Sequence, residues 1–171
     1  MSRWRNGAGR KADIAAGTDW LVGFAWLDAD AAFSDYAGYE RTITLVEGPG
    51  FALDFGPAHP ALLARRPFVP AAFDGGWTAR CRVPVGPCMV LNAMTARAAW
   101  THRVTVATGP VRTATTSGGV AFLVVLEGSV SIAGETAGPR DAFRVEGAVA
   151  LDGDAAARVA VIGIDPVTTR G

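Results

Sequence analysis

Glycine and proline interrupt this chain too often for long helices to form. Its 21 glycines and 10 prolines cut it into short segments, punctuated roughly every 8–15 residues and rich in Val, Leu, Ile, Phe, Thr and Trp. Both punctuating residues disfavour element interiors and favour turns, so the pattern predicts an all-β chain of many short strands, in a sandwich or barrel. The segments read as strands are Arg10–Ala15, Trp20–Leu27, Arg41–Glu47, Phe51–Phe55, Trp77–Val83, Gly86–Asn92, Ala98–Ala107, Val111–Thr115, Val120–Glu127, Ser129–Ala133, Ala142–Val145 and Arg158–Ile164. A turn of helix is expected at Ala29–Ser34 and at Pro60–Arg65. Loops are expected at Gly56–Pro60, Pro67–Gly76, Thr115–Gly119 and Gly134–Asp141.

One internal echo organises these segments. Leu45-Val46-Glu47-Gly48 leads into Phe51-Ala52-Leu53, and 80 positions later Val125-Leu126-Glu127-Gly128 leads into Val130-Ser131-Ile132. Each is an apolar strand, a Glu-Gly tight turn in which glycine supplies positive φ, and a short alternating strand. The spacing is about half of the 171 residues, which predicts two similar β units in tandem. We place them at 1–95 and 96–171, with exchange of strands between the halves allowed. No low-complexity linker separates them.

Acidic and basic side chains balance at 16 each, which argues against a nucleic-acid footprint or a polybasic membrane patch. Lys11 is the only lysine; the remaining bases are arginines, whose planar forks can clamp carboxylates when buried. Cys81 and Cys88 are too few for a disulfide framework and are not spaced as a zinc knuckle. They fall on neighbouring strands, where a bridge is conceivable and two buried thiols are expected. No segment approaches the roughly 20 apolar residues of a membrane helix. The start, Met1-Ser2-Arg3-Trp4, carries no apolar leader core, so a cytoplasmic protein is expected.

Three ordered blocks, Trp4-Arg5-Asn6-Gly7-Ala8-Gly9, Phe33-Ser34 through Arg41-Thr42, and Phe73-Asp74-Gly75 through Asn92-Ala93-Met94, resemble the HutD/Ves family. Trp4-Arg5-Asn6-Gly7-Ala8-Gly9, followed by Lys11-Ala12-Asp13-Ile14, is similar to its opening Trp-Lys-Asn-Gly-Gly-Gly and Thr-x-Glu-Ile signature, with Arg5, Ala8 and Asp13 as departures. Phe33-Ser34-Asp35-Tyr36-Ala37-Gly38-Tyr39-Glu40-Arg41-Thr42 resembles its Phe-Ser-x-Phe-x-Gly-x-x-Arg segment. Phe73-Asp74-Gly75, then Gly86-Pro87 through Asn92-Ala93-Met94, resembles its Phe-Asp-Gly and Gly-Pro-x-x-Asp-x-Asn-x-Met blocks, with Val90 at the acidic position. The resemblance implies a bicupin: two cupin-like jelly-roll barrels in one bacterial chain. It also implies an association with histidine utilisation, through binding of an intermediate such as N-formylglutamate rather than catalysis. The Ves branch is linked instead to cold or stress responses. Cupins commonly pair through their sheets, so a homodimer is admitted as a partner state.

Many cupins hold a metal with two or three histidines and a carboxylate. Here only His59 and His102 are available, in a loop and in a distant strand, so neither a metal nor another cofactor is expected. No serine sits on a nucleophile elbow. The ligand-binding set instead centres on Arg41, which opens an apolar strand. If it points inward it needs an acceptor, either an internal acid such as Glu47 or Asp13 or the carboxylate of a small anionic metabolite. Asn92 lies in an apolar run and must be hydrogen-bonded to backbone or ligand. Trp4 and Asn6 flank a glycine turn whose backbone N–H groups could cradle an anion, and Thr42 could add a hydroxyl. Arg80 and Arg82 share one strand face, at solvent or at a barrel mouth. The alternative is a metal-independent isomerase or lyase of small acids, using Asp13, Glu47 or Tyr36 and Tyr39 for acid–base work.

Overall fold

The computed structural model of the chain describes residues 2–3, 10–132 and 134–168, with residues 2 and 3 as backbone alone. No α-helix occurs among them; the sole helical feature is a 3-10 turn at Gly56–Ala58. By internal packing the chain divides into two units, Met1–Ala98 and Ala99–Gly171.

The first unit contains β1 (Ser2–Arg3), β2 (Arg10–Gly17), β3 (Trp20–Leu27), β4 (Ala31–Ala32), β5 (Tyr39–Glu47), β6 (Phe51–Asp54), β7 (Leu62–Ala64), β8 (Pro70–Asp74), β9 (Arg80–Arg82) and β10 (Cys88–Ala96). They form a six-stranded sheet, β1-β2-β3-β10-β5-β8, and a four-stranded sheet, β4-β9-β6-β7. The second unit contains β11 (Trp100–Thr108), β12 (Val111–Ala114), β13 (Val120–Glu127), β14 (Val130–Ile132), β15 (Glu135–Ala137), β16 (Ala142–Val145), β17 (Ala148–Gly153) and β18 (Arg158–Pro166). Its sheets run β11-β18-β13-β16 and β12-β17-β14-β15. Every pairing is antiparallel. The two orders coincide strand for strand: β3-β10-β5-β8 corresponds to β11-β18-β13-β16, and β4-β9-β6-β7 to β12-β17-β14-β15. Each unit is thus an eight-stranded jelly roll, and β1 and β2 are additions to the first.

The echo sits at equivalent points of the two jelly rolls. On β5 the pairing with β10 passes from Leu45↔Val90 to Glu47↔Met89, skipping Val46. On β13 the pairing with β18 passes from Val125↔Val159 to Glu127↔Arg158, skipping Leu126. A bulge of this kind bends the strand and increases its twist. The Glu-Gly tight turn that follows joins two sheets: β5 and β6 lie in different sheets, as do β13 and β14, so the chain turns a corner between layers. Gly48 (φ 109) and Gly128 (φ 76) take the positive φ needed there. A Cβ on Gly48 would lie 2.6 Å from the Pro87 carbonyl oxygen, and one on Gly128 would lie 2.8 Å from the Ala157 Cα. Both glycines let the corner close onto the chain that enters the partner strand.

Each core lies between the two sheets of its own unit. In the first, Ile43, Leu45, Val90 and Leu27 from one sheet meet Phe51, Leu53 and Cys81 from the other. In the second, Leu123, Val125 and Val159 meet Val111, Val130 and Leu151. Cys81 and Cys88 are free and buried in the first core. Burial pushes the Cys81 thiol up to about 12, so both behave as small apolar fillers.

Several expectations are corrected. The helical turns at Ala29–Ser34 and Pro60–Arg65 are absent; Ala31–Ala32 and Leu62–Ala64 are short strands instead. The loop Pro67–Gly76 contains β8, and Ala148–Gly153 is a further strand beyond those expected. Pro70 is tolerated because β8 is the edge of its sheet and Pro70 is its first residue.

Candidate functional site

Directly paired residues of antiparallel strands point to the same face, so the register shows which side chains share the interior of the first jelly roll. One row runs Asp13–Gly23–Asn92–Ile43–Ala71 and the next Ala16–Leu21–Met94–Arg41–Phe73. Deeper rows are apolar, with Ala25, Val90 and Leu45. The polar rows open into a cavity of about 310 Å³, lined by Lys11, Asp13, Asp19, Gly23, Tyr36, Tyr39, Arg41, Asn92 and Met94 among others. Gly23 opens this space by leaving no side chain beside Asn92. A bulge on β2 between Asp13 and Ala15 skips Ile14 and keeps Asp13 on the cavity row.

Arg41 is 5% exposed, and its surroundings are unusual for a buried cation. The guanidinium carbon lies 4.6 Å from the Phe33 ring centroid, 5.1 Å from Phe73 and 5.2 Å from Tyr36, so three rings contribute cation–π attraction. Nη1 donates to the Ser34 carbonyl at 3.3 Å, and Nη2 donates to Asn92 Oδ1 at 3.5 Å. Both bonds are long. Nε is buried without an acceptor among the described residues. Among the described residues no carboxylate pairs with Arg41: Asp13 is engaged by Lys11 at 3.0 Å, and Glu47 lies exposed at the opposite end of β5, outside the cavity. Burial pushes the Arg41 guanidinium down to about 10, against a smaller upward pull from Tyr36. It therefore remains a cation at neutral pH, with donor capacity unspent.

The segment between β4 and β5 holds this arrangement. Phe33 N–H donates to the Ala79 carbonyl and Tyr36 N–H to the Gly75 carbonyl, while Gly75 N–H donates to the Tyr39 carbonyl. Gly75 is required there, since a Cβ would sit 2.8 Å from the Tyr36 carbonyl oxygen and 3.1 Å from the Arg41 Cδ. Arg97 bridges Glu40 and Asp74 at 3.1 and 2.8 Å, tying β5 to β8 beside the site. Tyr36 meets Tyr39 edge to face at 6.0 Å, and the Tyr39 hydroxyl donates to Asp19 Oδ1 at 3.4 Å. Burial, then the Asp19 charge, pushes the Tyr39 phenol up.

The structure brings Arg41 and Asn92 together. Thr42 does not join them: it alternates with Arg41, so its side chain lies on the other face of the sheet, outside the cavity lining. Trp4 and Asn6 lie outside the described residues. Arg80 and Arg82 are both exposed, and Arg82 pairs with Asp30 at 3.1 Å. His59 stacks on Trp77 at 3.7 Å, while His102 belongs to β11 of the other unit. No group of three or more His, Cys, Asp or Glu gathers around a common point among the described residues. Sequence reasoning missed Asp19, Ser34 and the rings of Phe33 and Phe73. Their signal was the register, which places Phe73 beside Arg41. The corresponding positions of the second jelly roll are apolar: aligning the ladders at Leu45↔Val90 and Val125↔Val159 puts Ala121 where Arg41 stands and Val161 where Asn92 stands.

The chain is 26% identical to HutD from Pseudomonas fluorescens SBW25, solved in a formate condition, with a TM-score of 0.80 over 99% of this chain and 94% of that one. A cupin 2 conserved barrel domain protein from Leptotrichia buccalis shares the fold at 7% identity, with a TM-score of 0.61 over 92% of this chain and 89% of that one. Among curated relatives, protein Ves of Citrobacter koseri is 34% identical over 131 residues, covering 72% of this chain and 68% of Ves. An uncharacterised 21.2 kDa protein in the hutC 3' region of Pseudomonas putida is 33% identical over 98 residues, 52% of this chain and 50% of that relative's length. No helix among the described residues is long and apolar enough to cross a membrane. The HutD family model matches residues 1–164, and the chain belongs to the HutD family.

Proposed function

We propose that this chain binds a small carboxylate-bearing metabolite in the first jelly roll, without a metal and without turning it over, as a regulatory protein of the HutD/Ves type. The observation that carries the reading is Arg41: a buried guanidinium in a cavity wall, seated on three rings, with two long hydrogen bonds, an orphaned Nε–H and no acid partner among the described residues. A buried cation left in this state is costly unless an anion completes it. Guanidinium and carboxylate match as planar forks. Asn92 meets Arg41 through its side-chain Oδ1, which places its amide N–H donors next to the same point.

N-formylglutamate is the first ligand to test, because a relative lies in the hutC 3' region and the family resemblance points to histidine utilisation. The test is calorimetry and thermal shift with N-formylglutamate, glutamate and formate. Saturable heat and a rise in melting temperature, both lost in Arg41→Met, are the expected result. No heat and no shift from any carboxylate at millimolar concentration would remove the proposal. Turnover of N-formylglutamate would overturn its non-catalytic part.

A further inference from the structure

The charges lining the cavity do not suit a simple anion. Among the described residues they are Lys11, Asp13, Asp19 and Arg41, two of each sign. Lys11 and Asp13 neutralise each other, with Nζ at 3.1 and 3.0 Å from the two carboxylate oxygens. The remaining two are uncompensated and of opposite sign. Among the described residues Arg41 has no acid, and Asp19, which is solvent-exposed, has no cation; the Asp19 carboxylate accepts the long hydrogen bond from Tyr39. An unbroken line of contacts joins them, from Arg41 to the Tyr36 ring, from Tyr36 to Tyr39, and from the Tyr39 hydroxyl to Asp19.

The two poles are fixed by the backbone. Tyr39 and Arg41 are two residues apart on β5, about 7 Å along one face. Asp19 occupies the two-residue link between β2 and β3 with φ 66, a conformation that Asp and Asn adopt more readily than other side chains. Its carbonyl accepts Ala96 N–H at 2.8 Å. The acidic end of the cavity is thus held against β10 before any guest arrives. The intervening tyrosine faces attract a cationic nitrogen and offer nothing to a second carboxylate.

Resting on the carboxylate-binding reading above, we infer that the cavity selects a short bipolar guest: a carboxylate on Arg41 and Asn92, and at the other end a protonated amine or N–H donor on Asp19 and Tyr39. A carboxylate at that end would be repelled by the Asp19 charge, so a dicarboxylate such as N-formylglutamate would have to present its N–H to Asp19 and turn its second carboxylate away.

Titration calorimetry at pH 7 with butyrate, 4-aminobutyrate and glutarate, which share the same carbon spacing, separates the possibilities. The expected order is 4-aminobutyrate tighter than glutarate by at least tenfold, with butyrate between. Asp19→Asn, which keeps the backbone conformation accessible, should weaken 4-aminobutyrate about tenfold and strengthen glutarate. Glutarate binding as tightly as 4-aminobutyrate, or Asp19→Asn shifting both in the same direction, would overturn the bipolar inference and leave the Arg41 site standing. Absence of binding by all three, and by N-formylglutamate, would remove the site itself and this inference with it.

Discussion

Arg41 Nη2 and Asn92 Oδ1 stand 3.5 Å apart on adjacent strands, and they are not directly paired residues: Arg41 faces Met94 and Asn92 faces Ile43. Their contact is a diagonal across one sheet face, within reach of a long side chain. A neutral amide therefore stands where a buried arginine would ordinarily find an acid. The consequence is a cation held in place but not neutralised by any carboxylate among the described residues, which distinguishes it from an internal ion pair.

Arg41→Met tests the cost of that arrangement. Methionine keeps the unbranched stem among Phe33, Tyr36 and Phe73 and discards the charge. A fall from 12.5 to about 10 corresponds to about 3 kcal/mol of desolvation penalty, against roughly 0.5–2 kcal/mol of lost cation–π attraction. The variant should be no less stable than the parent, with a gain of about 1 kcal/mol by urea unfolding, while carboxylate binding falls by more than a hundredfold. A loss of more than about 2 kcal/mol would show that the guanidinium is an internal structural group instead.

Asn92→Asp supplies the missing acid. The new carboxylate would sit against the guanidinium and satisfy it from within, as a short-range charged hydrogen bond. Stability near pH 7 should rise, and N-formylglutamate affinity should drop by at least tenfold, because the guest now competes with a tethered anion and is repelled by it. Thermal shift with and without ligand reads both effects. Undiminished affinity in this variant would mean that the guest is anchored elsewhere.

The spacing of glycine and proline was enough to reveal the β class, and Trp20–Leu27, Val120–Glu127 and Ala142–Val145 have the bounds expected from their apolar runs. Apolar strands buried on both faces, such as β10, announce themselves by composition. Edge strands do not: Pro70–Asp74 carries a proline and two alanines, and Leu62–Ala64 is three residues long, so both take their shape from pairing with β5 and β6. Arg41 and Asn92 were legible because a charge and an amide interrupt otherwise apolar strands. Thr42 is next to Arg41 in sequence, but the two-residue alternation of β5 turns it to the opposite face of the sheet. Asp19 resembled an ordinary turn acid, and only the register of β2, β3 and β10 brings it to the cavity.

The repeated corners make a paired prediction. Gly48→Ala and Gly128→Ala each force a side chain into positive φ and into backbone at 2.6 and 2.8 Å. Gly109 (φ 74) and Gly134 (φ 86) have comparable conformations with nothing within 4 Å of an added Cβ. Alanine at those two positions should cost only the conformational penalty, about 1 kcal/mol. At the corners it should cost at least 2–3 kcal/mol, since backbone atoms cannot move aside as a flexible side chain would. Equal losses at all four positions in chemical denaturation would show that the corners are not closely packed.

His102 sets an acid limit on stability through the second jelly roll. It pairs with Ile164, a fully buried residue of β18, and the apolar setting disfavours the imidazolium. Burial lowers its value from 6.5 to about 4. The native state therefore binds this proton less readily than the unfolded chain, so the contribution is fully present above about pH 6.5 and is lost as pH falls toward 4. The ring is only part-buried, so the loss across that window should be about 2 kcal/mol rather than the full value of the shift. Carboxylates titrate in the same range, and His102→Gln isolates the histidine because it keeps a polar side chain that does not titrate. Urea unfolding of parent and variant at pH 7 and pH 4 should give a smaller pH-dependent loss in the variant, by about 2 kcal/mol. Identical losses in the two proteins would show that His102 charges in the folded state at little cost, and that its strand position is more open to water than its pairing with Ile164 implies.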